Sequence, residues 1–147
     1  MAQIAKIEAK AEIKCDPAKL YDFFKYNMTQ FVNLAPHIFK GAQLVEGEEG
    51  HVGNVKLFEY VLGIIPMTVK VKTEAINDEE RSITFKALEG NLMQLYSSFG
   101  SKVTFTDGFI KWCIEFEKAN DLAPNPDIYA ILAVEISKGL DAYLLNH

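Results

Sequence analysis

Hydrophobic and polar side chains alternate over residues 3–13, with Ile7, Ala9, Ala11 and Ile13 on one side and Lys6, Glu8, Lys10 and Glu12 on the other. A period of two marks a half-buried β-strand. The period then lengthens. In "CDPAKLYDFFKYN" Leu20, Phe23 and Phe24 share one helical face, Asp16 is placed to cap the first free N–H groups, and Pro17 suits the first turn. A second short helix is predicted around residues 28–34, ended by Pro36, because the residue before a proline is driven out of the helical region.

From residue 38 to 118 the period returns to two. "IFKGAQLVE", "NVKLFEYVL", "PMTVKVKTEAI" and "RSITFKALE" read as serial strands separated by turn residues at hairpin spacing. Val69, Val71 and Thr73 alternate with Lys70, Lys72 and Glu74, and Ile83, Phe85 and Ala87 with Thr84 and Lys86. The sharpest pattern is "YSSFGSKVTFTDGFIKWCIEFEK", where Asp107-Gly108 is a strong two-residue turn. Pairing Thr106 with Phe109 sets Phe105 opposite Ile110, Val103 opposite Trp112, Ser101 opposite Ile114 and Phe99 opposite Phe116, all on one face. Lys102, Thr104, Lys111, Cys113 and Glu115 take the other face, so a one-residue slip would expose the whole apolar set. A final helix is predicted from about Asp127 to Leu145, with Pro126 at its start and Asp127 where the helix dipole favours an acid. Ile128, Leu132, Ile136 and Leu140 form its stripe, widened by Tyr129, Ala133, Tyr143 and Leu144.

Strand, two short helices, six antiparallel strands and one long helix make an α+β fold. A seven-stranded sheet curls, and a single long helix can close its concave side. Periodicity says which side chains face that space; it does not say whether the space is packed or hollow.

Composition narrows the function. The 147 residues suit one domain, 1–147, and the net charge of −5 argues against a nucleic-acid partner, which needs a basic surface. No apolar run is long enough to span a bilayer, and the opening "MAQIAKIEAKAEIK" has no apolar leader core, so a cytoplasmic location is expected, with no membrane partner. Cys15 and Cys113 stand far apart without metal-ligand spacing and read as free thiols. Metal and cofactor are expected to be none. The loop "EGEEGHVG" at 46–53 raises the question of phosphate binding. It joins two strands, lacks the Lys-Ser/Thr ending of a phosphate loop, and carries Glu46, Glu48 and Glu49, which would repel an anion. Its glycines are better explained as turn residues taking positive φ.

Taken in order, "MAQIAKIEAKAEIK", "VEGEEGHVGNVK", "ALEGNLMQLYSSF", "KWCIEFEK", "NDLAPNPDIYA" and the tail "LDAYLLNH" resemble the plant major latex proteins over essentially the whole chain. These are a branch of the birch-pollen-allergen-like superfamily with a START-related fold. The resemblance implies a helix-grip fold: a seven-stranded antiparallel sheet wrapped around a long C-terminal helix, two short helices, and a large internal hydrophobic cavity bordered by the glycine-rich loop. Two departures are visible. Glu48-Glu49 make this loop more acidic than is usual, and the Asp107-Gly108 hairpin is shorter than the family's common connection.

The apolar inward stripe is packed core on residue pattern alone and cavity wall on the resemblance. On the second reading the ligand-binding residues are Tyr21 from the first helix; Phe39, Phe58 and Tyr60, then Val69 and Val71, from the early strands; and Ile83 and Phe85 from the next. Leu95, Phe99, Val103, Trp112 and Ile114 follow from the last hairpin, and Tyr129, Leu132, Ala133 and Ile136 from the final helix. Thr73, Ser97 and Ser101 are further polar candidates. Such a pocket suits a small hydrophobic molecule, whether terpenoid, sterol, alkaloid or hormone, bound by a monomer or weak dimer. The alternative is a cofactor-free cyclase or isomerase of a reactive terpenoid (iridoid-type) or alkaloid intermediate, with His37, Tyr60, Glu89 and Tyr129 moving protons. Each has a plainer account: buried tyrosines find hydroxyl partners, Glu89 sits in a turn, and His37 follows a proline at the surface. Ribonuclease activity, known in the superfamily, fits poorly with the acidic composition.

Overall fold

A computed structural model describes residues 4–146, so Met1–Gln3, which include the first residue of the predicted opening strand, and His147 lie outside the described residues. The elements follow in the predicted order. They are β1 (Ala5–Glu12), α1 (Pro17–Tyr26), a 3₁₀ turn (Met28–Gln30), α2 (Phe31–Leu34), β2 (Phe39–Glu46), β3 (Val55–Leu62), β4 (Ile65–Asn77), β5 (Ser82–Glu89), a second 3₁₀ turn (Asn91–Gln94), β6 (Tyr96–Thr106), β7 (Phe109–Lys118) and α3 (Asp127–Leu145). The strands form one antiparallel sheet in the order β1-β7-β6-β5-β4-β3-β2. The hairpin register is the one the alternation demanded: Thr106 pairs with Phe109, Val103 with Trp112 and Phe99 with Phe116. Register shifts between Phe39 and Gly41, Thr73 and Ala75, and Tyr96 and Ser98 bend individual strands, and such bulges add twist and curvature.

The helices cover the concave face. Asp16 caps α1 by accepting from the Ala18 N–H, with Pro17 in the first turn. α1 is held outside the core by Asp78, in the β4–β5 turn, whose carboxylate accepts from the Tyr21 hydroxyl and from Lys25 Nζ at 3.0 Å. Inside, Phe24 meets Phe105 at 5.0 Å, Phe31 at 5.4 Å and Trp112 at 5.6 Å between ring centroids. Edge-to-face rings at these separations add to the stabilisation from burial alone.

α3 spans the predicted residues, and Leu132, Ile136 and Leu140 of the predicted stripe face inward as expected, but the deepest burial is rotated toward Ala133, Ser137 and Asp141. Its fully buried residues are Ala133, Ser137, Leu140 and Asp141, while Ile128 is 43% exposed and Tyr143 39%. Specific hydrogen bonds set this rotation. The Trp112 Nε1–H donates to Ser137 Oγ at 2.8 Å, and Ser137 donates in turn to the Ala133 carbonyl. The Asp141 carboxylate accepts the Lys14 and Cys15 backbone N–H groups at 3.0 and 2.9 Å. Buried polar groups with fixed partners outrank an exchangeable apolar stripe, because leaving them unpaired costs more than exposing one isoleucine.

The glycine loop connects β2 to β3, and Gly47, Gly50 and Gly53 take φ of 74°, 83° and 97°. It is tied from below. The Asn54 amide donates to the carbonyls of Glu48 and His51, Lys56 Nζ donates to Asn54 Oδ1, and Lys56 sits 3.4 Å from Glu49. A Cβ on Gly50 would come within 2.2 Å of the Tyr26 ring, so only glycine lets the loop lie against α1.

Candidate functional site

Between the sheet and α3 lies a cavity of about 170 Å³. Its wall is predominantly apolar and draws on most elements of the fold. β2 and β3 supply Phe39, Phe58 and Tyr60; β4 and β5 supply Val69, Val71, Phe85 and Ala87; β6 and β7 supply Phe99, Gly100, Ser101, Trp112 and Ile114. α3 closes it with Tyr129, Leu132, Ala133 and Ile136. Alternation put the strand residues on the concave face, and the sheet's curvature gathers them around one space.

Of the ligand-binding residues expected from sequence, four stand elsewhere. Ile83 and Val103 pair across β5 and β6 and are fully buried in packed core rather than at the hollow. Tyr21 turns its hydroxyl out to Asp78, and Leu95 is half-buried beside the 3₁₀ turn, whose Leu92 takes the wall position instead. The proton-transfer candidates divide in the same way. Tyr60 and Tyr129 come together inside the cavity, but His37 is exposed in the α2–β2 turn. Glu89 is exposed as well, 3.4 Å from Lys70. His37 lies in a connecting segment, where no periodicity dictates direction, and Glu89 is the last residue of β5, paired with Lys70 at the end of the strand. Thr73 is spent on Asn54 and Ser97 on Glu117. The glycine loop contributes nothing to the wall among the described residues: Asn54, Lys56 and Thr73 lie beneath it.

Six wall residues went unanticipated: Met28, Phe31, Ile38, Ala87, Leu92 and Gly100. Phe31 was legible only as part of the short helix at 28–34 and Ile38 only as the start of the strand "IFKGAQLVE". Gly100 did carry a signal, as a glycine inside a regular strand, which marks close backbone approach. A Cβ there would stand 2.7 Å from the Phe85 carbonyl oxygen.

The polar chemistry of the wall is concentrated. The Tyr60 and Tyr129 hydroxyls hydrogen-bond to each other, with Phe99 edge-on to Tyr129 at 5.1 Å and Phe39 beside Tyr60 at 6.5 Å. Burial pushes the Tyr60 phenol up to about 12. Burial, reinforced by the neighbouring Tyr60, raises Tyr129 further. Both therefore stay protonated at any physiological pH. They are hydrogen-bond donors and acceptors here, not bases.

The profile of the pathogenesis-related protein Bet v 1 family matches residues 2–147. The chain belongs to the Bet v 1 family. Within it, the chain is 31% identical to MLP-like protein 31 of Arabidopsis thaliana, over 96% of this chain and 86% of that one. The crystal structure of major latex-like protein 151 from Panax ginseng superposes with a TM-score of 0.91 at 27% identity, covering 95% of this chain and 97% of that one. Norcoclaurine synthase from Thalictrum flavum shares the fold at 16% identity and a TM-score of 0.77, over 99% of this chain and 89% of that one. The Bet v 1 fold binds small hydrophobic ligands, and the norcoclaurine synthase shows that it can also carry an enzyme. In this member the interior is smaller than the resemblance implied, because Phe39, Phe58, Phe99, Trp112 and the two tyrosines project into it. Its 170 Å³ falls below the roughly 300–1,000 Å³ usual for ligand pockets. Among the described residues, no helix is long and apolar enough to cross a membrane.

Proposed function

We propose that this protein, acting as one domain in the cytoplasm and as a monomer or weak dimer, holds a small hydrophobic plant metabolite in service of defence or specialised metabolism. The observation that carries the reading is the apolar hollow between sheet and α3. Its volume favours the smallest of the expected guests, since a dry cavity of about 150 Å³ accepts benzene. Compact terpenoid- or phenol-sized molecules suit it; a sterol would require α3 to move away from the sheet. Trp112 lines the hollow and is the chain's only tryptophan, so its fluorescence reports occupancy directly. Compact apolar molecules should quench it saturably, and Ala133→Leu, which fills the space from α3, should weaken binding at least tenfold while leaving the fold intact. Unchanged binding in that variant would remove the cavity as the site.

A second reading has the Tyr60–Tyr129 couple in its favour. The same hollow would guide cyclisation or isomerisation of a reactive terpenoid (iridoid-type) or alkaloid intermediate, without a cofactor. Holding a flexible guest in one folded geometry lowers such a barrier by itself. Protonated phenols can donate a hydrogen bond to a developing oxyanion, whereas His37 and Glu89 are too exposed to take part. Product stereochemistry identical with and without protein, across both classes of intermediate, would dispose of this reading.

A further inference from the structure

The hollow offers few polar side-chain groups: the half-buried Ser101 hydroxyl on β6, the Trp112 N–H, and the Tyr60 and Tyr129 hydroxyls, which are the two that meet. The Trp112 N–H is already given to Ser137 Oγ at 2.8 Å. The Tyr60 and Tyr129 hydroxyls carry two protons between them and share one hydrogen bond. Whichever ring donates, one O–H proton of the couple remains to be given. No lysine, arginine, histidine, aspartate or glutamate lies among the described wall residues. The inward-facing Lys56 is held by Asn54 and Glu49 beneath the glycine loop, away from the wall.

We propose that the natural guest is neutral and carries one hydrogen-bond acceptor, of the ketone, aldehyde or ether type, that takes the spare proton of the Tyr60–Tyr129 couple. The inference rests on the binding function proposed above and adds the chemical class of the guest. A hydrocarbon leaves that buried proton unspent, which penalises its binding. A carboxylate brings a full charge into an apolar space with no cation to meet it, which penalises it more. Size completes the description: one ring with a short substituent fits a volume of about 170 Å³.

Three near-isosteric probes test this: acetophenone, ethylbenzene and benzoate, with affinities taken by calorimetry at pH 7. The wild type should bind acetophenone at least tenfold tighter than ethylbenzene and should bind benzoate weakest. Tyr60→Phe and Tyr129→Phe each leave one hydroxyl and should retain a preference for the ketone; the double variant should lose it. Thermal melts establish that the variants fold. Infrared spectra supply an independent readout: the carbonyl stretch of bound acetophenone should move to lower wavenumber in the wild type and remain at its free value in the double variant. Equal binding of acetophenone and ethylbenzene to the wild type, benzoate binding as tightly as the ketone, or a ketone preference that survives in the double variant would each overturn the proposal. In those cases the cavity still binds and the function proposed above stands. If none of the three binds, the cavity reading fails and takes this one with it.

Discussion

The two halves of α3 belong to one continuous helix and do opposite things. From Tyr129 to Ile136 it leans over empty space, and Tyr129, Leu132 and Ile136 are only half-buried. From Ser137 to Asp141 it is clamped, with Ser137 and Leu140 sealed from solvent and two polar contacts fixing it to β7 and to the β1–α1 connection. The difference teaches how a small protein keeps a hollow without collapsing into it. One half of the lid is fastened by directional hydrogen bonds, which do not slide, so the other half need not be held by packing. Empty space forfeits dispersion energy, and the fastened half opposes the resulting pull of the helix toward the sheet.

That contrast can be broken from the clamped side, and the largest effect is expected at Asp141. Asp141→Ala leaves the Lys14 and Cys15 amides without their acceptor and should cost about 3 kcal/mol in urea denaturation. Acid should find the same point in the wild type. Burial alone would raise the Asp141 carboxyl, but hydrogen bonds from Cys15 and Lys14 outweigh it and hold it below its ordinary value. A lowered folded value means that the stabilisation is complete above the unfolded value of about 3.9 and disappears as pH falls through the folded one. Asp141→Asn should therefore show a flatter loss of stability below about pH 4 than the wild type. Next comes Ser137→Ala, which strands the Trp112 N–H and should cost about 2 kcal/mol. A cost as small as that of an ordinary surface substitution at either position would mean that packing, not clamping, holds the lid. The smallest effect runs the other way. Gly139 is exposed, in the clamped half, with open space where a Cβ would go. Gly139→Ala should stabilise by about 0.5–1 kcal/mol, read as a rise in melting temperature.

Much of this architecture was legible in the chain because sheet geometry writes itself at period two. The Asp107-Gly108 hairpin is the clearest instance: a turn that admits one register, flanked by faces that cannot be exchanged, fixes every pair from Thr106–Phe109 back to Phe99–Phe116. The hollow was not legible from pattern, because Phe85 on the wall and Ile83 two residues away in solid core have the same alternation. What separates them is their distance along a curved strand from the α1 end. The rotation of α3 was hidden for a different reason. Its anchors, Ser137 and Asp141, look like solvent-facing residues until their partners at Trp112 and Cys15 are known. The Tyr60–Tyr129 couple joins residues 69 apart, and only closing the helix over β3 brings them together.

The placement of β1 has a consequence for how the protein is made. Ala5 pairs with Phe116 and Glu12 with Phe109, so β1 has its partner in β7, about a hundred residues later in the chain. Asp141 then closes a contact across 127 positions of sequence to Lys14. Such distant pairing is slow to form, because loop-closure entropy precedes any reward. On the ribosome the meander from β2 to β6 can assemble as it emerges, but β1 must wait with its apolar side uncovered until β7 has followed. The alternating lysines and glutamates of that segment keep one of its sides well hydrated during the wait.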